Sequence, residues 1–264
     1  MKTTIFPPAI ALVLVFLTGC ASAPQKQVLS VQEKADYAQR IARIKSVDIL
    51  YSNDNHVVVL DGGGSGSVGM AGLLGPVGLL AAVAIDGASK LSKEERSKAR
   101  SKEFSDKVRS ELPSANLSKD FADQVASKLR DRGMEVTVTP LTSSRTSADL
   151  ATYPELANIA AGRAAVVIWN NPGLTAESAT SAYVTSAVID YYCADADKTK
   201  ILDGRIVRRG DSVARTFQGL MDPISQTYSS LRTLYLSGHI NIVQQCFDVP
   251  DEKRPIDVLK SIAK

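Results

Sequence analysis

Chemistry in this chain of 264 residues would have to come from few places. There are three cysteines, Cys20, Cys193 and Cys246, and two histidines, His56 and His239. A thiol can be a nucleophile, a metal ligand, a lipid acceptor or half of a disulfide. A histidine can be a base or a ligand, but a lone one is more often a turn or core residue. The five together do not have the spacing of a zinc site. No G-x-S-x-G elbow and no H-E-x-x-H motif occurs. Asp190, Asp195, Asp197 and Asp203 gather in one short stretch. Calcium takes such oxygen ligands, yet the EF-hand spacing is missing, and aspartates around a turn are ordinarily solvated turn formers. Arg205, Arg208 and Arg209 read as a solvated strand end rather than an anion site.

One motif suggests a phosphate. Gly64-Ser65-Gly66-Ser67-Val68-Gly69 fits G-x-G-x-x-G and follows the run HVVVLD, with Asp86 beyond it. In a dinucleotide fold these glycines permit a tight turn at a helix N-terminus. Here glycine recurs at 63, 66, 69, 72, 75 and 78, so composition alone yields such a match. The preceding strand also reads as half of a hairpin rather than the start of a βαβ unit. A collagen reading fails too, because the run is short and has one proline. No cofactor is expected.

The first twenty residues, MKTTIFPPAIALVLVFLTGC, place a basic Lys2 before an apolar core from Ala9 to Leu17. That core is too short to span a bilayer and reads as a signal peptide. It closes on Leu17-Thr18-Gly19-Cys20, which resembles the lipobox of bacterial lipoproteins. The resemblance implies cleavage before Cys20, a diacylglyceryl group on its thiol and a membrane anchor. Acyl chains contribute about 0.8 kcal/mol per buried methylene. The alternative is an ordinary secretory signal cut at Ala21-Ser22-Ala23. No Asp follows Cys20, which by the same resemblance favours the periplasmic face of the outer membrane. With Cys20 lipidated, Cys193 and Cys246 remain in an oxidising compartment, so a disulfide between them is expected. Two buried free thiols are the alternative.

Residues 1–19 are thus the signal peptide, 20–29 a lipidated tether, and 30–264 the folded part. Its 44% apolar composition permits a sizeable core. A net charge of +3, from 31 basic and 28 acidic residues, gives no argument for nucleic acid.

These features need elements to position them. Ser30-Val31-Gln32-Glu33 is a capping box and predicts a helix to about Ile44. Val47–Tyr51 and His56–Leu60 flank Asn53-Asp54-Asn55 and predict a hairpin. Ser92-Lys93-Glu94-Glu95 predicts a second capped helix with Phe104, Val108 and Leu112 on one face. Another helix starts near Ser118, with Phe121, Val125 and Leu129 in a stripe and Gly133 as its αL cap. MEVTV at 134–138 alternates as a strand, and a helix is predicted around 153–161. Ala164–Trp169, apolar on both faces, predicts a strand in the middle of a sheet. Ala182–Cys193, a turn at 194–198 and Ile201–Val207 form a long hairpin. Asp222 as N-cap and Pro223 at N1 open a last long helix carrying Ile224, Tyr228, Leu231 and Tyr235. His239–Phe247 fits helix or strand, and a short helix is expected near 256–263.

The fold class is α/β, a mixed sheet of about five strands packed with helices in one main domain. This order of elements resembles the periplasmic domain of curli-secretion-type lipoproteins and the amino-terminal domain of Tol-system propeller proteins. The Gly-rich apolar insert at 62–88 stands apart. Leu73, Leu74, Leu79, Leu80 and Val83 are its candidate contact residues. Packing within the fold, a partner or self-association surface, and membrane insertion are all open. The insert lacks the period-two alternation of a barrel strand. The function expected is non-enzymatic: an envelope lipoprotein that binds other proteins or itself. A secretion or pore accessory subunit and an envelope hydrolase are the alternatives.

Overall fold

The computed structural model describes residues 28–53, 56–61, 88–142, 150–178 and 180–252. Helix α1 (Val31–Ala42) begins at the expected capping box: Ser30 Oγ accepts from Glu33 N, and the Glu33 carboxylate accepts from Ser30 N at 2.8 Å. Strands β1 (Ser46–Ser52) and β2 (Val58–Asp61) follow. Then come α2 (Ala88–Glu111), α3 (Leu117–Arg130) and β3 (Glu135–Leu141). The chain continues through β4 (Ala164–Ala176), β5 (Tyr183–Ala194) and β6 (Lys200–Ala214). Helices α4 (Phe217–Met221), α5 (Ile224–Leu236) and α6 (His239–Phe247) are the last elements among the described residues.

The strands make one mixed six-stranded sheet in the order β3-β1-β4-β5-β6, with β2 also on β4. β1, β2 and β3 run parallel to their neighbours, while β4, β5 and β6 form an antiparallel meander. The predicted class is therefore observed. The buried strand Ala164–Trp169 is the centre of the sheet. It runs on through Asn170-Asn171-Pro172-Gly173, a stretch with turn chemistry, to Ala176. Pro172 lacks a backbone N–H and would weaken an unbroken central ladder. It falls where the ladder on one side is already broken: β1 pairs with β4 up to Ile168, and β2 resumes at Gly173.

That break corrects the predicted hairpin. β1 and β2 do not pair with each other; both lie parallel to β4, end to end along the same side. Asn53-Asp54-Asn55 are turn-forming by type, but β2 keeps the direction of β1 instead of reversing it. Three further expectations change. Ser92 lies inside α2, which starts at Ala88, so it is not an N-cap. The helix expected at 153–161 is two short 3-10 turns, Leu150–Thr152 and Pro154–Asn158. Tyr153 precedes a proline and is extended, which separates them. Asp222 closes α4, and Pro223 occupies the N-cap position of α5.

Alternation along β4 divides the core. Val166 and Ile168 pack with Ile49, Ile189 and Tyr191 under α3, α5 and α6. Phe121, Val125 and Leu129 of the predicted stripe are fully buried there. Each such side chain contributes about 1.5–3 kcal/mol by leaving water. Further along the same face, Val59 and Leu174 pack against Phe104 and Val108 of α2 and against Leu220 and Leu231. On the opposite face Ala165, Val167 and Trp169 meet Tyr153, with Leu156 and Ile159 beside them. After α3, Met134 N donates to Leu129 O (3.1 Å) and Gly133 N to Arg130 O (2.8 Å). This is a Schellman motif, and Gly133 takes the φ of +78° it requires.

Candidate functional site

Cys193 is the penultimate residue of β5, on the helix-covered face, and Cys246 lies on α6 above it. Both are fully buried. They form a disulfide, with Cα atoms 6.1 Å apart. The pairing joins the sheet to α6 across 53 residues of chain.

The aspartates do not converge on a common point. Asp190 is bound by Arg205 through two hydrogen bonds, one of them at 3.0 Å. Asp195 holds the β5–β6 turn by accepting from Asp197 N (3.0 Å) and Thr199 N (2.8 Å). It also accepts from Arg40 Nε at 2.5 Å, which fastens α1 to the sheet. Asp203 pairs with Lys200 at 2.5 Å. Among the described residues no group of three or more His, Cys, Asp or Glu is placed to hold a metal ion. All three arginines have partners in the fold rather than being merely solvated: besides Arg205 on Asp190, Arg208 donates to Asn241 Oδ1 (3.0 Å) and Arg209 to Glu177 (2.7 Å). His56 Nδ1 lies 3.3 Å from Ser105 Oγ, and His239 Nδ1 contacts the Leu236 carbonyl. The two histidines thus have structural partners on separate elements.

One arginine that sequence reasoning passed over joins three strands. Arg163, just before β4, donates to Asp48 Oδ1 (2.9 Å), Glu135 Oε1 (2.9 Å) and Thr137 Oγ1 (3.0 Å). The Asp48 hydrogen bond leads in holding its guanidinium pKa above the ordinary value.

Helix α2 closes the outer side of β2. Ser101 Oγ accepts from Val59 N at 2.8 Å and gives its own proton to the Ser97 carbonyl at 2.6 Å. Ser105 Oγ accepts from Val57 N at 3.0 Å. Ser97, Ser101 and Ser105 are all buried. Two strand residues advance about 6.7 Å and four helix residues about 6 Å, so the hydroxyls stay in step with the strand.

A cleft of about 330 Å³ opens between β6 and α5. Its hydroxyls come from Thr185, Ser212, Ser229, Ser230 and Thr233, its one carboxylate from Asp211, and its apolar wall from Val213 and Leu234. Pairing of β5 with β6 shifts register here. Gly210 is required: a Cβ there would stand 2.2 Å from Thr185 Oγ1. The cleft has hydrogen-bonding capacity for a small polar ligand and no histidine or cysteine with which to activate one. Its residues carry no sequence motif that could have marked them. At the break between β1 and β2, Asn170 N donates to Ser52 Oγ (3.2 Å), while the buried Asn170 side-chain amide has no partner among the described residues. Burial pushes the Tyr235 phenol well above its ordinary pKa, with the Asn171 backbone opposing and Asp190 reinforcing. Tyr228 is raised by burial in the same way.

Cys20 lies outside the described residues, as do Leu73, Leu74, Leu79, Leu80, Val83 and the glycines of the G-x-G-x-x-G match. The helix expected near 256–263 lies outside them too. No helix among the described residues is long and apolar enough to cross a membrane. No protein-family model matches the chain, and no curated protein matches it.

Proposed function

We propose that this chain is a non-enzymatic lipoprotein of a bacterial cell envelope. It is exported, lipidated at Cys20 and held at the periplasmic face of the outer membrane, where its α/β fold binds other proteins or itself. The observation that carries this reading is the Cys193–Cys246 disulfide. Structural disulfides persist in oxidising compartments and are rare in the cytosol. The bond therefore agrees with the independent signal at the other end of the chain, the short apolar core closing on Leu17-Thr18-Gly19-Cys20. Interaction rather than catalysis is supported by the separation of the two histidines, whose Nδ1 atoms meet Ser105 Oγ and the Leu236 carbonyl on different elements.

Growth of producing cells with labelled palmitate tests the reading. The chain takes up label and sediments with membranes, and Cys20→Ala abolishes both. An unlabelled wild-type chain, or label that survives Cys20→Ala, overturns it.

A further inference from the structure

We infer that β6 is the seam of a symmetric dimer, pairing antiparallel with β6 of a second copy so that one sheet runs through both. The inference rests on the reading of the chain as an interaction protein and names its partner. β6 ends the strand order, and no strand among the described residues lies beyond it. A sheet edge presents a row of backbone donors and acceptors to any strand that can approach. Val207 in its middle is 60% exposed, the most exposed large apolar side chain within a described strand.

Charge along β6 selects the register. Two copies meeting about a two-fold axis perpendicular to the sheet place residues of equal parity opposite one another. Like charges directly opposite are destabilising. Centring the axis on Asp203, Arg205, Arg208 or Arg209 sets that charge against itself. Within the regular stretch between its two register shifts, centring on Gly204 sets Asp203 against Arg205, which already covers the buried Asp190, and centring on Val207 sets Arg205 against Arg209. Among the positions from 203 to 209, only Ile206 gives no like pair and leaves Arg205 to Asp190. It also places each Asp203 opposite Arg209 of the second copy, twice by symmetry. Both side chains are accessible, at 61% and 51% exposure, and their present partners Lys200 and Glu177 are themselves surface residues. Val207 then lies against the aliphatic stem of Arg205 across the seam.

The full chain in detergent is tested by absolute mass from light scattering. Wild type is expected as a dimer, Asp203→Arg as a monomer, and Asp203→Arg with Arg209→Asp as a dimer again. The pair Asp203→Cys and Arg209→Cys checks the register directly. Within one strand these positions are roughly 20 Å apart, so oxidation can join them only between copies. A covalent dimer on a non-reducing gel is expected. A monomeric wild type, an assembly untouched by Asp203→Arg in a folded chain, or cysteines that do not cross-link overturn the proposal. Membrane fractionation of the same variants keeps the two readings apart. An anchored monomer removes the dimer and leaves the anchor, whereas an unanchored dimer does the reverse.

Discussion

Ser101 Oγ lies 2.8 Å from the backbone nitrogen of Val59, so a helix hydroxyl takes the hydrogen bond that a neighbouring strand would otherwise accept. Ser105 repeats the contact one turn later on Val57. The β2 edge is thereby closed without another strand, one of the ways proteins keep edges from pairing with other chains.

Ser101→Ala leaves the buried Val59 N–H without a partner. A loss of about 1–3 kcal/mol is expected, and Ser101→Ala with Ser105→Ala costs more than either alone. Urea unfolding followed by circular dichroism measures it. A double variant as stable as wild type would show that the serines merely fill space.

The Cys193–Cys246 bond spans 53 residues. In the chain-entropy account a loop of that size is worth roughly 4 kcal/mol. Reduction, or Cys193→Ala with Cys246→Ala, lowers the melting temperature by many degrees. Calorimetry with and without dithiothreitol reads the shift, and indifference to reductant would contradict it.

Arg205 covers Asp190, whose side chain is 8% exposed. Arg205→Leu strands a carboxylate in a poorly hydrated place, at a cost of roughly 3 kcal/mol. Adding Asp190→Asn removes the stranded charge and recovers part of the loss. A double-mutant cycle by chemical denaturation reports the coupling.

Alkaline pH weakens the fold through Tyr228 and Tyr235. Burial holds both phenols above 10.0, so the folded state keeps its protons where the unfolded state gives them up. Below about pH 10 both states are protonated and the stabilisation is complete; above it, stability falls by up to about 1.4 kcal/mol per pH unit for each phenol still protonated in the fold. Tyr228→Phe makes the fall between pH 10 and 12 shallower. Unfolding free energies across that range decide the point, and equal slopes would exclude Tyr228.

The legible parts of this fold are those where burial writes its own period. Phe121, Val125 and Leu129 repeat at helical spacing and are buried; Ala164–Trp169 is apolar on both faces and is the central strand. Elements set by partners far away in sequence were not legible. Asn170-Asn171-Pro172-Gly173 has turn chemistry, and only the gap between β1 and β2 lets it continue as strand. Asn53 likewise suggests a reversal, whereas the strand direction is fixed by β4. The disulfide is legible from compartment rather than from pattern. The β6–α5 cleft is not legible, because serines and threonines on a helix and an edge strand have no periodic signature.

The isolated bridge between Val28 and Glu252, with Leu29 N donating to Asp251 O at 3.3 Å and Lys34 Nζ to the Asp251 carboxylate at 3.0 Å, brings the two ends of the described fold together. Mechanically, the described fold is a closed loop. A pull at residue 28 is shared with residues 251 and 252 until that clasp opens. Fraying at either end, by a protease or by truncation, is therefore felt at the other, although more than two hundred residues of chain lie between them.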